Sequence, residues 1–134
     1  MAFPALTSAG GSMSTDHQEI ENVIQVYFAC MYESSSDKAH AAFHPDAWIS
    51  GYLPNGYQHM TVSEFGDFVA AQQPSPKSKG DVARLEIISL EVAGQTAVAR
   101  VRDAYLGLVF LDTLSFIKLK GQWLILNKLF HVED

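Results

Sequence analysis

The order of hydrophobic periods along this chain restricts its fold more than any single motif does. An amphipathic helical segment comes first, followed by Phe43-His44-Pro45-Asp46-Ala47 and another short helical stretch. After Gly80 there are only strand-like segments, ending in Asn127-Lys128-Leu129-Phe130-His131. Helices gathered ahead of a continuous antiparallel sheet give an α+β domain in which the helices cover one face. A curved sheet folded around a helix in this way encloses a pocket.

The segments can be bounded from their residues. Ile20, Val23, Ile24, Tyr27, Phe28 and Met31 recur at helical spacing behind Thr15 and Gln18, which match a capping box, so a helix is predicted over about 15–33. Ser34-Ser35-Ser36-Asp37 ends it and caps a short helix whose Ala39, Ala42 and Phe43 share a face, until Pro45 forbids continuation. Ala47 to Leu53 reads as a strand and Pro54-Asn55-Gly56 as a turn. Thr61 and Glu64 form a second capping box, opening a helix with Phe65, Phe68 and Val69 inward that Pro74 and Pro76 close. Turn signals near Ala93-Gly94-Gln95, Leu106-Gly107 and Lys120-Gly121 divide the remainder into four strands of an antiparallel meander. Residues 1–13 show no period that could bury a face, and are expected to be a flexible leader to a single domain over 14–134.

Composition removes several classes of function. The 134 residues are 48% hydrophobic, enough for one core, and the net charge is −6. With basic residues clustered only at Lys77 and Lys79, nucleic acid is not an expected partner. No run approaches the roughly 18 apolar residues of a spanning helix and no signal-peptide pattern opens the sequence, so no membrane association is expected and the location is read as cytoplasmic. Cys30 is the only cysteine, which agrees with a reducing compartment. Neither a phosphate loop nor a nucleotide fingerprint is present, and no cofactor is expected. His40 and His44 have i, i+4 spacing, but no third ligand is predicted and no metal site is assigned.

The last hairpin allows a geometric inference. A two-residue loop at Lys120-Gly121 pairs 119 with 122, and without a bulge Leu114 then faces Asn127, Asp112 faces Leu129, and Phe110 faces His131. Asp112, Asn127 and His131 would converge on one face, roughly 7–8 Å apart between α-carbons on neighbouring strands. Polar groups meeting inside an apolar wall are the composition of a ligand pocket. The opposite face would carry Val109, Leu111, Ile117 and Leu119, with Leu124, Leu126, Phe130 and Val132. That second apolar face predicts a homodimer through the sheet.

The run from Val23 to Phe43, then His44-Pro45-Asp46-Ala47, a strand with Gly51, a capped helix and the terminal Trp123-x-x-x-Asn127-Lys128-x-x-His131 together resemble the NTF2-like superfamily. Within it, the chain is most similar to the group labelled putative lumazine-binding proteins, over about 15–131. The resemblance implies a cone of strongly bent antiparallel sheet, with N-terminal helices covering the concave face, usually dimeric. The superfamily contains ketosteroid isomerase, and an ungapped match from Val23 to Gly51 places its oxyanion-hole tyrosine on Tyr27. The companion aspartate falls plausibly on Asp112, and the catalytic base falls on Gly51, which cannot abstract a proton.

The residues proposed to line the pocket are Tyr27, Met31, His44, Trp48, Tyr52, Phe110, Asp112, Leu114, Asn127 and His131. Most have a structural alternative: Tyr27, Met31, Trp48 and Tyr52 as core, Asp112 paired with Arg100, Arg102 or Lys128, Asn127 and His131 tying strand ends, and His44 held by backbone at the helix end. Three readings follow. The chain is a binding module for a small apolar or aromatic molecule. Alternatively it is an isomerase, dehydratase or cyclase acting beside a carbonyl, with Tyr27 and Asp112 as oxyanion donors and His131 or His44 as base. The third reading is a protein-interaction domain with an incidental pocket.

Overall fold

The computed structural model describes residues 8–133, with side chains from Thr15 onward. Four helices, α1 (Ser8–Tyr32), α2 (Ser36–Ala42), α3 (Val62–Ala70) and α4 (Pro76–Lys79), accompany six strands. The strands are β1 (Phe43–Leu53), β2 (Gly56–Thr61), β3 (Leu85–Ala93), β4 (Thr96–Tyr105), β5 (Leu108–Leu119) and β6 (Gln122–Glu133). Among the described residues no helix is long and apolar enough to cross a membrane.

Helix α1 begins at Ser8, inside the expected leader, of which residues 1–7 lie outside the described residues. Thr15 therefore lies within the helix and does not cap it, and Gln18 instead donates to Asn22 Oδ1 one turn on, at 3.2 Å. Ile20, Ile24, Tyr27, Cys30 and Met31 are buried along one stripe, as the helical spacing requires. One turn nearer the N-terminus, Asp16 Oδ1 accepts from Lys118 Nζ (2.9 Å) and Trp123 Nε1 (3.1 Å), tying the helix to the β5–β6 hairpin. Ser35 caps α2 by accepting from the Lys38 amide, and Thr61 with Glu64 forms the expected capping box of α3.

The sheet runs β2-β1-β6-β5-β4-β3 and is curved into a cone whose concave face holds the helices. It is antiparallel except where β1 meets β6, which pair in parallel, a departure from the all-antiparallel expectation. Strand β2 escaped the sequence reading because its Gln58 and His59 break a short and otherwise apolar run. Both residues of the Leu106-Gly107 and Lys120-Gly121 turns have positive φ, which matches the twist of the strands they join.

The two-residue loop pairs Leu119 with Gln122, as expected, and the ladder keeps that register as far as Phe116 with Ile125. There it slips, and the next pair is Ser115 with Asn127, leaving Leu126 without an opposite residue. One extra residue turns every later side chain of β6 to the other face. Asp112 now faces Phe130, Leu114 faces Lys128, and Leu111 faces His131. The predicted convergence of Asp112, Asn127 and His131 does not occur, since Asn127 and His131 are exposed on the outer face while Lys128 and Phe130 are buried inside. Likewise the outer face loses Phe130 and Val132 and gains Leu129.

Gly51 pairs with Phe130 across the parallel junction. A β-carbon at Gly51 would lie 2.6 Å from the Phe130 ring and closer still to its carbonyl oxygen. The glycine is thus required by contact with a neighbouring backbone, which cannot yield as a flexible side chain would. Gly51→Ala is expected to destabilise the protein by about 1–3 kcal/mol, as overpacking does, and chemical denaturation of the two proteins will measure it. An unchanged midpoint would mean that β1 and β6 can separate without penalty.

Candidate functional site

A cavity of about 240 Å³ opens between the concave sheet and α3. Its inner wall is Met31, Ile49, Phe65, Phe110 and Phe130, while Leu53, Pro54 and Asn55 of the β1–β2 turn and Leu106 and Leu108 of the β4–β5 turn border it. The alternation of β1, β5 and β6 brings these residues to one face, and Met31 projects from the buried stripe of α1.

Lys128 is the one charged side chain among the described lining residues. It is 5% exposed, and its Nζ stands 4.6 Å from the Tyr27 ring centre, 4.8 Å from Phe65 and 5.6 Å from Phe130. Ring faces attract a cation, by about 2 kcal/mol where water is excluded, but they accept no conventional hydrogen bond. Among the described residues no carboxylate or carbonyl is bonded to this ammonium. The hydroxyl of Tyr105, which also lines the cavity, is buried without a partner.

Behind the wall lies a second polar group of residues. The Tyr27 hydroxyl donates to Asp112 Oδ2 at 2.6 Å, with both residues fully buried. Asp112 Oδ1 and both carboxyl oxygens of Asp103 have no other side-chain or backbone donor. The carboxyls of Asp103 and Asp112 are nevertheless within hydrogen-bonding reach of each other. Two carboxylates cannot bond, so the pair is satisfied only when it holds a proton between them.

The sequence-predicted residues, His44 aside, divide into three sets. Met31 and Phe110 line the cavity, while Tyr27, Asp112 and Leu114 are buried on the same side of the sheet but outside the lining. Trp48 and Tyr52 stand on the outer face, 43% and 69% exposed, with Trp48 stacked on His59 at 4.1 Å. Asn127 lies on that face beside Trp48, and His131 is exposed there too. His44 belongs to none of these sets: its Nδ1 accepts from the Asp46 amide at 3.0 Å, a local turn. Arg100 is exposed, and Arg102 is paired with Glu133 at 2.7 Å, so neither offsets Asp112. Sequence reasoning missed Lys128, Phe130 and Asp103. The signal for Asp103 was available, because it occupies an inward position of the alternation Ala97, Ala99, Val101, Asp103 and Tyr105.

A family model described as "Putative lumazine-binding" matches residues 15–131. The chain belongs to that family. Its fold is that of the NTF2-like proteins, and the family description supports a small-molecule-binding domain. An NTF2-like protein of unknown function from Methylobacillus flagellatus is 27% identical, with a TM-score of 0.78 over 90% of this chain and 94% of that one. Another from Silicibacter pomeroyi reaches a TM-score of 0.80 at 18% identity, over 90% and 98%. The chain is also similar to an aldolase, FrzH, from Cladobotryum sp., with 26% identity over 88% of this chain and 92% of the relative.

In this member of the family three inner groups, Asp103, Tyr27 and Cys30, are pushed towards their neutral forms. Burial, followed by the hydrogen bond and charge of Asp112, pushes the Asp103 carboxyl up to about 9. Burial together with the Asp103 and Asp112 charges raises the Tyr27 hydroxyl well above its ordinary value, so it remains a donor. Burial also pushes the Cys30 thiol up to about 12, which keeps it unreactive.

A carboxyl that binds its proton more tightly in the folded state favours folding at low pH and loses that contribution as pH rises towards its folded value. Asp103→Asn keeps the shape without the titration. Its melting temperature relative to wild type is therefore expected to rise steadily from pH 5 to pH 9. A difference independent of pH would mean that Asp103 is ionised throughout.

Proposed function

We propose that this protein binds a compact apolar molecule carrying an oxygen acceptor, with the oxygen met by Lys128. The observation that carries this reading is a buried ammonium without a hydrogen-bonding partner in an otherwise apolar cavity. Leaving such a charge unpaired is unfavourable, and a ligand oxygen is what it lacks. A cavity of about 240 Å³ lies below the roughly 300–1,000 Å³ of drug-sized sites, so the ligand is on the order of one or two rings.

A second reading, chemistry beside a carbonyl, is favoured by the buried acid–carboxylate pair next to this cation and by the similarity to a protein named an aldolase. In that reading the oxyanion is stabilised by Lys128, because the Tyr27 hydroxyl is already committed to Asp112. The base position of ketosteroid isomerase is closed twice, by the glycine and by the Phe130 ring packed over it.

We further infer that a second copy covers the outer sheet face. Trp48, Val98 and Leu129 are 43%, 39% and 58% exposed on a side that no helix of the described residues covers. A face meeting its own copy across a two-fold axis would bury the patch isologously.

Calorimetric titration with 2-naphthoate, 2-acetonaphthone and naphthalene tests the ligand class. Lys128→Met is expected to weaken the two oxygen-bearing compounds by about tenfold or more, the loss of a charged hydrogen bond, and to leave naphthalene unchanged. Met60 also lines the cavity, and Met60→Trp, which reduces its volume, is expected to abolish all three. Equal binding by every variant would put the ligand elsewhere. Light scattering after size exclusion is expected to give a dimer for wild type and a monomer for Leu129→Glu. A monomeric wild type at micromolar concentration would refute the paired faces.

A further inference from the structure

We propose that Lys128 is an amine nucleophile, condensing with the carbonyl carbon of a compact aldehyde or ketone in the cone to form an imine. The inference rests on the carbonyl reading above and gives Lys128 a different part in it, attack at the carbonyl carbon in place of charge stabilisation at the oxygen. Lys128 belongs to the Asn-Lys-x-Phe-His segment, and the bulge at Leu126 turns it into the cavity. Surface lysines are solvated, and many pair with carboxylates, as Lys38 does with Glu33 at 2.7 Å and Lys118 with Asp16 at 2.9 Å. Lys128 is nearly buried and has no ion-pair partner among the described residues, and its nitrogen borders the cavity. Desolvation in an apolar pocket is one of the ways a lysine amine is activated.

Water entering with the carbonyl compound at the open side of the cavity carries the protons. Starting from the ammonium, one proton passes to that water. The freed lone pair then attacks the carbonyl carbon, the C=O π electrons move to oxygen, and a carbinolamine results. The water returns the proton to that oxygen, a second N–H proton follows by the same route, and the C–O bond breaks to release water. One of the three ammonium protons stays on the iminium nitrogen, two leave in the water, and no electrons are exchanged with an outside reagent. The Met31, Ile49, Phe65 and Phe110 wall provides the low-water surroundings that slow hydrolysis of the imine.

The test uses the whole chain with 2-naphthaldehyde and sodium cyanoborohydride, followed by peptide mapping. A naphthylmethyl group is expected on Lys128, its formation blocked by excess 2-naphthoate and lost in Lys128→Arg and Lys128→Met. The arginine variant keeps the charge and removes the nucleophile, and the competition in wild type requires no variant to fold. Aldehyde binding is measured separately by quenching of protein fluorescence. Labels spread over exposed lysines and indifferent to 2-naphthoate would overturn the proposal. So would saturable binding without a reducible adduct, which would leave the cavity reading intact, whereas no binding of the aldehyde would sink both.

Discussion

Between the pairs Ser115–Asn127 and Phe116–Ile125 the β5–β6 ladder passes over Leu126, and the interior of the cone depends on that slip because side chains alternate along a strand. Without it Asn127 and His131 would enter the cavity and Lys128 would face solvent. With it an ammonium and a phenyl ring are placed inside, and a histidine and an amide are placed outside. The same kink bends the sheet, so the irregularity that shapes the cone also selects its contents.

The charges inside the cone are arranged to limit one another. A lysine, two aspartates and a tyrosine are nearly excluded from water on one side of the sheet. A proton shared by the aspartates leaves one negative charge, and the lysine supplies one positive charge, so the group is close to neutral as a whole. Aromatic faces and the Tyr27 hydroxyl bridge the two halves. Isolated charges at such depth would be strongly unfavourable, whereas a balanced set can persist with one member left facing a cavity.

Much of the architecture was legible in the sequence because it is written in periods and punctuation. The stripe from Ile20 to Met31, the caps at Ser35 and Thr61, and the paired turn residues at Leu106-Gly107 and Lys120-Gly121 act locally, and each is found where its chemistry required. The interior was only half legible. Asp112, Phe110 and Met31 were placed on the correct side, but Asn127 and His131 were not, since the bulge at Leu126 carries no glycine or proline to announce it. Trp48 and Tyr52 were expected to line the pocket, although the alternation Ala47, Ile49, Gly51 and Leu53 directs them outward. Asp103 was passed over because its partner is another acid, an arrangement that no pattern of complementary charges suggests.

Helix α1 is fastened at Asp16 to the β5–β6 hairpin, and α3 is fixed by its capping box. The rim of the cavity away from these anchors consists of two tight turns, Leu53-Pro54-Asn55 and Leu106-Gly107-Leu108. Turns of this kind open locally at lower free energy than packed helices do. A guest entering the cone would pass these turns, so its residence time would depend on how often they part as well as on how strongly the interior holds it.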